Sequence, residues 1–315
     1  MSEPNPIHTV LGANGVIGQG VIRELAVRGI EARPVGRSLR PGWCKADLTD
    51  AADTSRAMEG ASHAYLCAGL AYDTAVWKRD WPKIMDNVIR GAERHGARVV
   101  FLDNIYMYGP PPLRKPIEED HPQNPSSQKG QVRKEIAATL LEAHKVGKIQ
   151  ALIARAPDFY GPDATNSLLY QTMIAKMVKG QKAMWIGDPD RLHSFGHVTD
   201  IAKAMVLLAL DTGAYGQVWH TPTSSEGVTA RELHRMIAKQ LGRPAKLTKM
   251  GRLPLSLVAM FVPIVRELKE MSYQYFSSYS FSSSKFERRF PSFKITPYET
   301  GIAQMVDSFR NDAHK

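Results

Sequence analysis

A doubly wound α/β fold built on a parallel sheet is predicted by three features of the 315-residue chain. Short apolar runs alternate with amphipathic segments through its first half, the links between them are short, and the first run ends in a glycine-rich turn that opens a helix. Strand, helix, strand repetition with short links calls for parallel strands joined by right-handed crossovers.

Strands are expected at residues 7–11, 30–35, 63–68, 99–102 and 149–154, with helices between them at about 16–28, 50–58, 81–95 and 131–144. After residue 154 the rhythm loosens. Residues 167–179 and 200–210 read as helical and 217–220 as one more strand. Thr229 with Glu232 three residues on forms a capping box ahead of ELHRMIAKQL. A last helix is expected with Thr296 as N-cap, Pro297 at its first position and Glu299 completing a second box. The expected division is residues 1–160 as one α/β domain and 161–315 mainly as a smaller second lobe, with elements near 198–220 able to return to the first.

With 43% hydrophobic and 23% charged residues the chain has an ordinary globular composition. Its start, MSEPNPIHTV, shows no targeting pattern. The longest apolar stretch, LPLSLVAMFVPIV (253–265), is too short to span a bilayer and holds two prolines, so it reads as a buried helix or pocket wall. No membrane partner is expected. Cys44 and Cys67 are the only cysteines, which excludes a disulfide framework and a cysteine metal site and suits a reducing cytoplasm. His193 and His197 in HSFGH have a metal-like spacing, but Gly196 argues against a helix and no third ligand is near, so no metal is expected. The net charge of +10 is spread along the chain. It favours anionic small molecules or, less specifically, nucleic acid, and alone does not choose.

The first strand runs into LGANGVIGQG, with Gly12, Gly15 and Gly18 at G-x-x-G-x-x-G spacing and Asn14, Val16 and Ile17 between them. Glycines let the chain turn sharply and a phosphate approach the backbone, and the following helix aims its N–H groups and positive dipole end at a pyrophosphate. Asn14 is expected to tie the loop to its own backbone. The position at the first strand–helix junction makes this a Rossmann-type dinucleotide site rather than a mere glycine-rich turn. A site for the unphosphorylated coenzyme usually has an acid after the second strand. Here PVGRSLR puts Arg37 and Ser38 there, with Arg40 close by, which suits a 2′-phosphate. NADP(H) is therefore expected over NAD(H); a solvated arginine at a strand end is the plainer alternative.

These residues resemble the extended short-chain dehydrogenase/reductase family, in particular its NAD-dependent epimerase/dehydratase branch. Asp47-Leu48 in KADLTD look like the family's Asp-Leu after the third strand, where the Asp meets the adenine amine. YLCAGL resembles the fourth-strand end that lines the dinucleotide cleft, at Ala68 and Gly69. Asn87 stands where the family commonly has an Asn. RAPDFYGP is similar to the family segment whose backbone near Pro157 passes the nicotinamide, and HSFGHVTDIAKA resembles a downstream Val-x-Asp element at Val198 and Asp200.

The resemblance also implies where catalysis should sit. In the family, a Ser or Thr four residues before a Tyr-Gly orients the substrate oxygen, and a later Tyr-x-x-x-Lys supplies a phenol acid/base and its supporting cation. Tyr108-Gly109 match the first element, so the hydroxyl position falls on Asn104. KGQVR matches the second, so Lys129 takes the tyrosine place and Arg133 the lysine place, and no tyrosine lies between Tyr108 and Tyr160. Arg133 is expected to hold ribose or phosphate, and Asn104 to donate a hydrogen bond to a carbonyl. Lys129, if stripped of water, and Tyr106, just past the fifth strand, are the substitute proton donors. A solvated lysine and a core aromatic are their plain alternatives.

Three functions compete. The leading one is an NADP(H)-using oxidoreductase or epimerase/dehydratase-like enzyme acting on a small carbonyl, alcohol or nucleotide sugar, possible as a homodimer. The second is a catalytically silent dinucleotide-binding regulator or scaffold, which the missing tyrosine permits. The third, nucleic-acid binding, rests on charge alone and no nucleic-acid partner is expected.

Overall fold

The computed structural model describes residues 6–109, 113, 116–242, 244 and 246–312. The chain forms two compact units. One holds residues up to Met107, with Lys129–Arg155 and Ile201–Thr221; the other holds Tyr108–Gln128, Ala156–Asp200 and the chain from Pro222 on.

In chain order the first unit supplies β1 (Ile7–Leu11), α1 (Val16–Val27), β2 (Ala32–Gly36), β3 (Cys44–Lys45), α2 (Ala51–Met58), β4 (Ala61–Leu66), α3 (Thr74–His95), β5 (Arg98–Asp103), α4 (Gln128–Lys145; Gln128 is counted with the second unit) and β6 (Ala151–Arg155). The second unit adds β7 (Asp158–Tyr160), a π-helical turn (Tyr170–Ile174), α5 (Ala175–Val178), β8 (Ala183–Ile186), β9 (Leu192–His193) and β10 (Phe195–His197). The chain then runs through α6 (Val198–Leu210) into β11 (Val218–His220) of the first unit. It finishes in the second with β12 (Val228–Thr229), α7 (Ala230–Leu241), β13 (Leu247–Met250), α8 (Arg252–Phe261), α9 (Pro263–Met271), α10 (Ser284–Arg289) and α11 (Tyr298–Asp312).

The first unit is a seven-stranded sheet in the order β11-β6-β5-β4-β1-β2-β3, parallel throughout. Leu11 pairs with Val35 on one side and Leu66 on the other, so the carboxyl ends of β1, β2 and β4 lie together. The strand order reverses at β1, and a crevice outside the strand ends at such a reversal is where open α/β sheets bind ligands. The central strands are buried on both faces, so burial runs along them without alternation, at every residue of β6 and at Val99, Val100 and Phe101 of β5.

Several elements differ from the sequence expectation. Helix α3 starts at Thr74, capped by Asp73, whose carboxylate accepts from Val76 N at 2.9 Å, and Pro82 lies inside it. A proline reads as first-turn residue because it lacks an N–H, which set the expected start near residue 81. Helix α4 starts at Gln128, which puts Lys129 in its first turn. The capping box at Thr229 forms as expected. The one at Thr296 does not, because its N–H and hydroxyl both bond to the Asp200 carboxylate, at 2.7 and 2.9 Å. Residues 253–265 are also not a buried segment. They form α8 and the start of α9, and only one side of α8, Leu255 and Ala259, is buried.

At the amino-terminal half of the sheet, the buried His8 ring lies 4.1 Å from that of His63 and its Nδ1 is 3.0 Å from the Tyr65 hydroxyl. Burial brings both imidazoles down to about 4. The unfolded chain titrates them near ~6.5 and so binds more protons between those values. Their contribution is complete above about pH 6.5 and is lost as pH falls toward 4. Calorimetric melting should show a midpoint that drops between these pH values by less in His8→Phe than in the wild type. Equal drops would contradict the assignment.

Candidate active site

The turn after β1 is shaped by close backbone contact. Gly12 has φ +93°, donates its N–H to Val35 O at 3.1 Å, and a Cβ there would lie 2.5 Å from the Cα and N of Ala68. A Cβ on Gly18 would lie 2.6 Å from Gly12 O. Gly15 differs: its φ is −74°, and its role is to cap α1 with no side chain, leaving the first-turn amides uncapped. Asn14 and Gly15 are exposed, Val16 is half-buried and Ile17 is buried. The side-chain tie expected from Asn14 comes instead from Gln19, whose Nε2 donates to Ala13 O at 2.6 Å. Side chains are thus excluded where backbone meets backbone, and the helix amides face outward, an arrangement that fits a pyrophosphate.

The surroundings match in kind. Arg37 and Ser38 are exposed directly past β2, and the Arg40 guanidinium sits 4.8 Å from the Trp43 ring centroid. Exposed Asp47 closes a turn by accepting from Thr49 N and Oγ1 at 2.9 and 2.8 Å. Buried Leu48 has its carbonyl held by Asn87 Nδ2 at 2.9 Å. Ala68 is half-buried and Gly69 exposed beyond β4. Pro157 is buried in the second unit, two residues past β6.

Past β5, Asn104 Oδ1 accepts from Tyr106 N at 3.0 Å, fixing the turn that presents Tyr106. The Tyr106 ring stacks on Trp77, with centroids 6.1 Å apart and planes 16° apart, and its oxygen accepts from the Tyr72 hydroxyl at 3.5 Å. Lys129 is fully buried rather than a solvated helix-start lysine. Its Nζ donates to Thr74 Oγ1 at 2.8 Å and lies 4.8 Å from the Tyr72 ring centroid. Asn104, Tyr106 and Lys129 are therefore linked through Tyr72 and Thr74.

Arg133 does something the sequence did not suggest. Its Nε donates to Asp103 Oδ1 at 2.7 Å and its Nη2 to Leu102 O at 3.0 Å, while its guanidinium packs over Trp81 and Phe101. Arg155 bonds the other Asp103 oxygen at 3.0 Å. All three side chains are nearly or wholly buried, so the carboxylate offsets two guanidinium charges where water cannot.

Tyr72, Thr74 and Asp103 are the site residues that sequence reasoning missed. Asp73, a good N-cap eight residues ahead of Trp81, was the available signal for the first two. For Asp103 the signal was an acid closing an apolar strand, with two arginines downstream to meet it.

In the second unit, both His193 ring nitrogens lie within 3.0 Å of backbone carbonyls, of Arg191 and Gln274. Asp158 accepts from the Tyr275 hydroxyl at 2.8 Å, and burial pushes its carboxyl up. Among the described residues no cluster of three metal-ligating side chains occurs.

A model of the NAD dependent epimerase/dehydratase family matches residues 8–219. A dTDP-4-dehydro-6-deoxy-D-allose reductase of Streptomyces bikiniensis is 25% identical over 270 residues, covering 76% of this chain and 82% of the reductase. A dTDP-6-deoxy-L-talose 4-dehydrogenase (NAD(P)(+)) of Kitasatospora kifunensis is 26% identical over 159 residues, 49% of each chain. Among solved structures, UDP-glucose 4-epimerase of Thermotoga maritima with UDP-glucose superposes with a TM-score of 0.80 at 16% identity, covering 98% of this chain and 99% of that one. The dTDP-glucose 4,6-dehydratase of Streptomyces venezuelae with NAD superposes with a TM-score of 0.79 at 17% identity, covering 98% of both. The structural likenesses establish the fold, and the family match spans the glycine turn and the whole sheet from β1 almost to the end of β11. The chain belongs to the NAD-dependent epimerase/dehydratase family, enzymes of the short-chain dehydrogenase/reductase type.

Proposed function

We propose that the protein is a cytoplasmic NADP(H)-preferring oxidoreductase or epimerase that moves hydride to or from a nucleotide sugar or related small carbonyl or alcohol, with Tyr106 and Lys129 replacing the usual tyrosine. The observation that carries this reading is the linked set Lys129, Thr74, Tyr72 and Tyr106 in the sheet unit. Two relatives that act on dTDP-linked deoxysugars support the substrate class.

The loop from Gly12 to Gly18 would hold the coenzyme's pyrophosphate through main-chain amides, with Asp47 and Leu48 toward its adenine and Ala68 and Gly69 along it. Bound nicotinamide supplies or accepts the hydride. The chain's own residues handle the oxygen. The Asn104 amide donates to it and orients it, and Tyr106 gives or takes the proton. The Tyr72 hydroxyl, donating to the Tyr106 oxygen, favours the phenolate left after transfer, and the Lys129 cation stands behind Tyr72. Arg133 acts as a positioning residue, bracing α4 against β5 through Asp103.

Arg37 and Ser38 support the preference for the 2′-phosphate. Arg37→Ala should weaken NADPH binding by about tenfold, the loss of one exposed charge-assisted contact, and leave NADH binding unchanged. Equal losses for both coenzymes would show that Arg37 does not read that phosphate. The function as a whole is tested by following NADPH absorbance with a panel of dTDP- and UDP-linked 4-keto sugars and simple aldehydes and ketones. Turnover of one of them is expected; tight coenzyme binding with no turnover would favour a silent dinucleotide-binding regulator. A homodimer is part of the same reading, and sedimentation velocity would show it.

A further inference from the structure

Helix α8 carries apolar side chains on two sides. Leu255 and Ala259 pack inward, while Leu253, Leu257, Met260 and Phe261 recur at helical spacing on the outer side and are 81, 62, 69 and 81% exposed. The chain then bends at Val262, and Pro263 opens α9. This elbow adds exposed Val262 and Ile264 beside Phe261. Among the described residues, seven of the twelve exposed large hydrophobics fall between Leu253 and Ile264. An apolar concentration of that kind marks a contact surface rather than scattered surface residues.

The charges around it identify the contact. Lys246 and Lys249 on the approach to α8, Arg252 at its start and Arg266 just past the elbow are all exposed. The sequence has no acidic residue from 243 to 266. A second copy of the chain would meet this face through a two-fold axis, placing the patch and its cations against themselves with no acid in the stretch to pair them. A surface that is apolar below and negatively charged above complements it, and that is the description of an anionic bilayer interface. Among the described residues no helix is long and apolar enough to cross a membrane, so the contact is peripheral.

We propose that the α8–α9 elbow docks the protein on anionic lipid membranes, with Leu257, Met260, Phe261 and Ile264 entering the headgroup–acyl boundary and the flanking cations resting on the headgroups. The expectation of no membrane partner rested on the shortness of this stretch and on its burial, and its outer face is not buried.

Flotation of the full chain with phosphatidylcholine vesicles, with and without phosphatidylserine, tests this. Binding is expected to the phosphatidylserine vesicles, weakened by salt, and at least about tenfold poorer to the neutral ones. Leu257→Ser/Phe261→Ser should reduce it by at least about tenfold while keeping the wild-type melting temperature, since both side chains are exposed. The proposal is overturned if neither vesicle binds, if the double variant floats as well as the wild type, or if sedimentation shows a dimer that this variant dissolves.

Discussion

Valine at Gly12 will weaken coenzyme binding by at least about 30-fold and lower the melting temperature. The added Cβ would fall 2.5 Å from Ala68 Cα and N, and both are backbone atoms that no rotamer change can move aside. The residue also holds φ +93°, which costs a β-branched side chain further. Overpacking and strain together come to roughly 2–5 kcal/mol, a loss of about 30- to 4000-fold if the loop shifts to relieve them. The contrast is Gly69→Ala, where a Cβ meets nothing within 4 Å and the melting temperature should not change. Fluorescence titration with NADPH reads the first effect. Wild-type affinity in Gly12→Val would show that the loop does not hold the dinucleotide.

Turnover should fall by about 10²- to 10⁴-fold in Tyr106→Phe, the usual size of a lost general acid or base, with coenzyme affinity retained. Lys129→Met should also lower kcat. Its ammonium is fully buried, and methionine keeps the side chain's length without the charge or the bond to Thr74. Because a structural lysine would affect only folding, the informative readout is the pH–rate profile. Loss of the cation should move the limb governed by Tyr106 to higher pH, and Tyr72→Phe should move it the same way by less. If neither Tyr106→Phe nor Lys129→Met changes turnover, both roles are wrong.

The glycine turn was legible because its demand is local: a tight strand-to-helix bend with close backbone contact restricts residue type at Gly12 and Gly18 whatever surrounds them. The parallel sheet was legible from periodicity for a similar reason. What escaped depends on contacts far apart in sequence. The start of α3 turned on whether Asp73 or Pro82 marked the helix end, and seven residues of error hid Tyr72 and Thr74 from the site. Lys129 reads as solvated until Thr74 and Tyr72 cover it, and Arg133 reads as a ligand for ribose until Asp103 claims it. Thr296 looked like an N-cap because the competing acceptor, Asp200, is 96 residues away. The 253–265 stretch misled in the opposite direction. Apolar composition implies burial, and here most of the stretch faces outward.

Calorimetric titration of the purified protein with NADPH and with NADH is the most direct measurement of the central claim, that main-chain amides at residues 12–18 grip a dinucleotide. The account predicts saturable binding of both, tighter for NADPH. Absence of heat with either coenzyme, confirmed by an unchanged melting temperature at saturating concentration, would contradict it.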